Sequence, residues 1–174
     1  MAELPSIFVF GLFPDSSGKT ILACALARGL ANSGLRVGVF KPRSGHNIWY
    51  QYGAFLKCKD ADSLFCEDII KLRDASRCDM PYEVLNPVDA LLAPLNAEYF
   101  LKRNTSSQMF LFEHDIFRHL IVERHSILKL EGTETFLLIN ERNIDANLAV
   151  LDRSYVEGLR RAAAKVISVR SLDE

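Results

Sequence analysis

Ile7-Phe8-Val9-Phe10-Gly11-Leu12-Phe13-Pro14-Asp15-Ser16-Ser17-Gly18-Lys19-Thr20 is the stretch whose reading decides the fold. An apolar run leads into a tight Gly-Lys-Thr turn, and the turn opens a helix-like run from Ile21 to Ala31. Strand, turn and helix in that order are the setting a phosphate-binding loop requires. The first N–H groups of a helix lack backbone partners and carry partial positive charge. A phosphate group meets both deficits. On this reading Asp15, Ser16, Ser17 and Gly18 form the loop, and Lys19 reaches the outer phosphates as a mobile cation. The Thr20 hydroxyl ligates Mg2+, which prefers oxygen donors. Gly18 lets the backbone approach closely, with no Cβ in the way. The strict pattern G-x-x-x-x-G-K-[ST] is not met: Phe13 stands where its first glycine belongs, and Gly11 lies two residues earlier. The competing interpretation is an ordinary turn that reads Ser-Gly-Lys-Thr before an amphipathic helix. The strand and helix on either side weigh against it.

Outward from the loop, the first half of the chain alternates strand and helix patterns. The expected elements are a strand at 6–12, a helix over 18–32, and a second strand at Arg36-Val37-Gly38-Val39-Phe40, ending at Lys41-Pro42. Ile21, Leu22, Ala25, Leu26 and Leu30 share one helical face, expected to point inward. Gly34 fits the left-handed residue that ends a helix. Two near-continuous apolar runs joined by a helix imply a mostly parallel sheet covered by helices. Ile48, Trp49, Tyr52, Phe55 and Leu56 repeat at helical spacing, read as core packing rather than a base-stacking surface. A helix is expected over 62–75, and Val88–Leu92 reads as a short apolar turn in a proline-punctuated region. Beyond the 103–108 loop, runs at 109–112, 119–122, 127–130 and 135–139 read as short antiparallel strands. Ser154 to Glu157 forms a capping box opening a helix to Lys165, and 166–169 is a last strand. The expected fold class is therefore α/β: one domain over 1–174, with an antiparallel hairpin insertion at 103–141.

Composition narrows the partners. Of 174 residues 49% are hydrophobic and 25% charged, as in a folded domain with a real core. A formal net charge of −1 gives no electrostatic ground for a nucleic-acid or anionic-membrane partner. No apolar run is long enough to span a bilayer, and the first residues lack a basic leader, so the expected compartment is the cytoplasm. The cysteines at 24, 58, 66 and 78 form no C-x-x-C pair, which argues against zinc; Cys24 reads as a small core residue. The four histidines show no metal-ligand spacing and are expected on loop or strand surface.

At Lys41-Pro42-Arg43-Ser44-Gly45 the chain resembles dethiobiotin synthetase and its relatives among the cobyrinic acid amidating enzymes. Asp60-Ala61-Asp62-Ser63-Leu64 is similar to that family's Asp-Ala helix start, and Tyr82 to Pro87, followed by Pro94, to its Asn-Pro segment. The resemblance spans residues 6–96, with its elements in the same order. It implies a P-loop NTPase that uses ATP or another nucleoside triphosphate with Mg2+, acts on a small molecule, and builds its site in a homodimer. It implies catalytic roles for Lys19 and Lys41, substrate contact by Ser44, and metal ligation by Thr20 and Asp60. Lysines at the ends of two adjacent parallel strands converge where an open α/β sheet binds ligands. The chain departs from the family in having only Arg43 between Lys-Pro and Ser-Gly, and Phe13-Pro14-Asp15 in place of Thr-Asp-Thr. The family's acidic strand end, Val-Glu-Gly-Ala-Gly-Gly, has no counterpart. Glu113 and Glu141 are the stand-ins, and both read more simply as strand-end surface carboxylates. Either that motif is degenerate or further strands lie downstream of residue 174; the second reading is preferred.

Three functions follow. The first is an ATP-dependent enzyme that phosphorylates a carboxylate or carbamate so that a nearby amine closes on it. The second is a nucleotide-dependent switch or assembly ATPase. The third is a non-catalytic nucleotide-binding module.

Overall fold

The computed structural model describes residues 5–12, 17–95, 97–102, 104, 116–148 and 150–170. The order of elements is α1 (Lys19–Asn32), β1 (Arg43–Asn47), α2 (Tyr52–Asp60), α3 (Glu67–Ser76), α4 (Tyr82–Leu85), β2 (Val88–Leu92), α5 (Ala97–Lys102), α6 (Ile116–His119), β3 (Leu120–Lys129), β4 (Gly132–Asn140), α7 (Glu141–Ala146), α8 (Arg153–Ala162) and β5 (Lys165–Val169). The chain is α/β, with five strands in one open sheet of order β1-β2-β3-β4-β5, flanked by helices. The sheet is mixed, not mostly parallel: β1/β2 and β4/β5 are parallel, β2/β3 and β3/β4 antiparallel. Each parallel pair needs a crossover. The first runs through α2, α3 and α4, the second through α7 and α8.

The two strands expected at 6–12 and 36–40 lie outside this sheet. Phe8 is 80% and Phe10 85% exposed, and the strand beside β2 is 43–47. Buried polar groups explain the choice. Asp89 on β2 is fully buried, and a buried carboxylate needs partners. Ser44 donates to it at 2.5 Å, and His46 lies beside it, when 43–47 pairs with 88–92. Val88–Leu92, expected as a turn, is a strand with three consecutive buried residues.

Helix α1 also faces differently from its expected orientation. Ala27 is buried, while Ile21 is 78% and Leu22 54% exposed. With 6–12 and 36–40 outside the sheet, the described strands leave those large side chains uncovered. The helix packs instead on α3, with Ala23 and Cys24 against the core. Its C-terminus ends as expected. Gly34 sits at φ 84°, its N–H donates to Ala31, and the Leu35 N–H donates to Leu30. That 5→2 and 6→1 pair is the Schellman arrangement.

The core gathers Ile48 and Phe55 with Leu64, Phe65, Ile69, Leu91, Ile121 and Ile139. Trp49, Tyr52 and Leu56, expected with them, are exposed. Phe55 meets Tyr155 edge-on at 5.7 Å, and the Tyr155 hydroxyl donates to the Ser63 carbonyl at 2.8 Å. The stretch expected as two strands, 119–122 and 127–130, is the single strand β3. It turns at Leu130-Glu131 into β4, where Gly132 takes φ 139°. The 109–112 run lies outside the described residues. Helix α3 begins after Cys66, later than expected: Asp62 takes a left-handed φ of 45° and Cys66 is extended. Helix α8 is capped by Asp152, whose carboxylate accepts from the Ser154 N–H at 2.9 Å, rather than by a box starting at Ser154. Among the described residues no helix is long and apolar enough to cross a membrane.

Candidate functional site

The start of α1 is built around glycine. Gly18 caps the helix at φ 75°, a conformation that L side chains rarely adopt, and it has no side-chain acceptor for the first-turn N–H groups. No acidic residue lies in the first turn. The Lys19 ammonium donates to Ser17 Oγ at 2.7 Å. Gly11 completes the contact. A Cβ placed there would come within 2.2 Å of Ser17 Oγ and 3.1 Å of Lys19 Cγ. Of the expected strand, turn and helix, the described residues keep the turn and the helix: 5–12 forms no strand. Asp15 and Ser16 lie outside the described residues.

Lys41 reaches the same helix start through Asp68. Its ammonium donates to Asp68 Oδ2, and the Thr20 hydroxyl lies near enough to help lower the pKa of the same carboxylate. Burial alone would raise the Asp68 pKa, but the hydrogen bond from Lys41, the Lys41 charge and the Thr20 hydroxyl outweigh it and hold the carboxyl below the ordinary aspartate value. Thr20, Lys41 and Asp68 thus form one cluster of hydroxyl, cation and carboxylate. The sequence reading missed Asp68. The available signal was the Glu67-Asp68 pair, acids in the first turn of a helix.

The backbone around Lys41 is pinned from three sides. Its N–H donates to the Leu85 carbonyl at 2.8 Å, its carbonyl accepts from Asn86 Nδ2 at 2.9 Å, and the Val88 N–H donates to Pro42 at 3.3 Å. Asn86 is fully buried, and its Nδ2 also donates to the Val88 carbonyl at 3.1 Å. Its own carbonyl accepts from Arg124 Nη2 at 2.6 Å. Arg124 is itself buried, with Nε donating to the Leu64 carbonyl at 2.8 Å. Burial lowers its pKa, yet the guanidinium is worth its desolvation only because carbonyls surround it. The Asn-Pro segment is therefore the bracket that positions Lys41.

Ser44 is half-buried and bonded within the fold. Its hydroxyl donates to Asp89 Oδ1 at 2.5 Å, with Asn86 Oδ1 2.9 Å away. His46, expected on the surface, is buried on β1 with Nδ1 2.9 Å from Asp89 Oδ2, a contact made off the hydrogen-bond line. Cys58 Sγ lies 4.0 Å from His46 Nε2. Cysteine, histidine and aspartate in series suggest a nucleophile and its base. The environment excludes that chemistry: all three are buried, and burial pushes the Cys58 thiol up to about 12. The thiol donates to the Phe65 carbonyl at 3.1 Å and accepts its N–H at 3.3 Å. It is a structural group closing the turn before α3.

Asp60 ends α2 and is exposed. No contact joins it to Thr20, Lys41 or Ser44 among the described residues. Its neighbour Lys59 pairs with Asp152 at 2.8 Å, beside α8. Of the acidic stand-ins, Glu113 lies outside the described residues. Glu141 receives both Arg160 bonds, at 2.6 and 2.8 Å, so its carboxylate is spent on an ion pair at the far side of the sheet. The four cysteines are free thiols. No protein-family model, curated protein or solved structure matches this chain.

Proposed function

We propose that the chain is a nucleotide-binding protein of the P-loop class. The observation that carries this reading is the meeting of Thr20, Lys41 and Asp68 at the first turn of α1, beside Lys19. The phosphates of a nucleoside triphosphate, taken as ATP, lie against the N–H groups after Gly18, with Lys19 and Lys41 as their cations. Thr20 and Asp68 offer hard oxygen donors of the kind Mg2+ takes. The ion, when bound, neutralises charge on the phosphates.

The particular reading is an ATP- and Mg2+-dependent enzyme like dethiobiotin synthetase, activating a carboxylate or carbamate by phosphoryl transfer. Two cations and a carboxylate around a glycine-opened helix fit that reaction, in which the protein contributes position and charge. Lys41 holds its place through Asn86 and moves from Asp68 to phosphate when nucleotide arrives.

Calorimetric titration of Mg-ATP into wild type, Lys19→Ala and Asp68→Asn tests the class. Saturable binding that falls at least about tenfold in Lys19→Ala is expected. Affinity unchanged by that substitution would remove the loop from the account. ATP hydrolysis that appears only with a small acid or amine supports the enzyme. A second reading, a switch or assembly ATPase, draws on the exposure of Ile21 and Leu22 next to Thr20. Turnover accelerated by a protein partner and by no metabolite would favour it.

A further inference from the structure

We infer that the concavity between α2 and the C-terminal half of α3 is a second binding site, for a small polyanion carrying phosphate or several carboxylates. The cavity measures about 600 Å³ and is lined by Lys57, Lys71, Arg73 and Arg77 against one carboxylate, Asp74. Such a volume suits a metabolite. Four cations in one hollow are not a consequence of overall basicity, because the whole chain carries −1.

Their present partners leave most of that charge uncompensated. Lys71 pairs with Glu67 at 2.9 Å. Arg73 donates to the Asp79 carbonyl at 3.2 Å and lies 4.5 Å from the centre of the Tyr82 ring, both neutral partners. Arg77 donates to Asn32 Oδ1 at 2.9 Å, also neutral. Asp74 is directed to Arg28 at 3.4 Å. Lys57 forms no ion pair among the described residues. Like charges held together raise one another's energy, and an anion with two or more charges relieves them.

The hollow selects against nucleobases and nucleic-acid strands. Those ligands are held by aromatic platforms and long basic tracks. The one aromatic side chain here, Tyr82, is already stacked on Phe65 at 4.0 Å and covered by Arg73. Ile70 and Cys78 supply a small apolar wall, enough for a compact acid.

The site does not rest on the P-loop reading, and the test keeps the two apart. Lys19→Ala protein is titrated calorimetrically with pyrophosphate and, separately, with citrate. Saturable binding of either at about 1 mM or below is expected, and the stronger ligand tells phosphate from carboxylate. On that background Lys57→Gln and Lys71→Gln each weaken binding about tenfold, and Lys57→Arg restores it. Lys57 is exposed on a helix surface, so its glutamine variant keeps the fold, as an unchanged melting curve will show. The proposal is overturned by no saturable binding, by affinity indifferent to both lysines, or by binding confined to oligonucleotides.

Discussion

Arg124→Met is the sharpest test of how this fold holds its site. Methionine keeps most of the length and loses every donor. The Leu64 carbonyl, accepting at 2.8 Å, and the Asn86 carbonyl, accepting at 2.6 Å, are then buried without partners. Each orphaned acceptor costs about 1–3 kcal/mol, so two cost about 2–6. Removing a buried guanidinium returns part of its desolvation penalty, since burial already lowers the Arg124 pKa. The expected net loss is about 3 kcal/mol, a large share of a typical domain's stability. Urea unfolding followed by circular dichroism reads it as a lower midpoint at unchanged slope. Because Asn86 tethers both Arg124 and the Lys41 carbonyl, Mg-ATP affinity is expected to fall as well. Stability equal to or above wild type would refute the account, showing that the carbonyls relax to other partners.

Gly11→Ala is expected to cost nucleotide affinity at least about tenfold with little change in melting temperature, because the new Cβ displaces Ser17 and Lys19 and nothing in the core; equal affinity in calorimetry would break the link between Gly11 and the loop. The Lys41–Asp68 contact predicts a pH signature. A depressed carboxyl pKa stabilises the fold above the ordinary aspartate value of 3.8, and the gain is lost as pH falls through the lower folded-state value. The difference in melting temperature between wild type and Asp68→Asn should therefore be largest near neutrality and shrink below pH ~4; a constant difference down to strong acid would contradict the pairing. Cys58, with its thiol held up at about 12, should resist alkylation at pH 8 while partly exposed Cys24 and Cys78 react. Peptide mass spectrometry that finds Cys58 modified as fast as Cys24 in the native protein would overturn its structural role.

The helix start at Gly18-Lys19-Thr20 was legible because its signal is local: a positive-φ glycine, a cation and a hydroxyl in consecutive positions. Lys41 was expected at the end of a sheet strand; the run before it is not a strand, and Lys41 instead precedes β1 and meets Asp68. Asp68 was not, since what makes it part of the site is its contact with Thr20 and Lys41, both distant in sequence. Asp89 hid inside Val88–Leu92, a run short enough and close enough to prolines to read as a turn. Once Asp89 is recognised as buried, the pairing of Ser44 and His46 against it explains the sheet edge. Periodicity placed Ile21, Leu22 and Leu26 on one face of α1 correctly, but periodicity says nothing about which face finds a partner. The sheet that would have covered them was drawn from apolar runs and the Gly-Lys-Thr turn, and the observed strands lie elsewhere.

Asparagine normally ages. Its side chain is attacked by the next backbone nitrogen, and the cyclic imide that forms opens to aspartate. Asn86 is followed by Pro87, whose ring nitrogen carries no hydrogen and cannot make that attack. The carboxamide that fastens Lys41 therefore sits in the sequence context where this slow damage has no route, and a negative charge does not accumulate with time beneath the lysine.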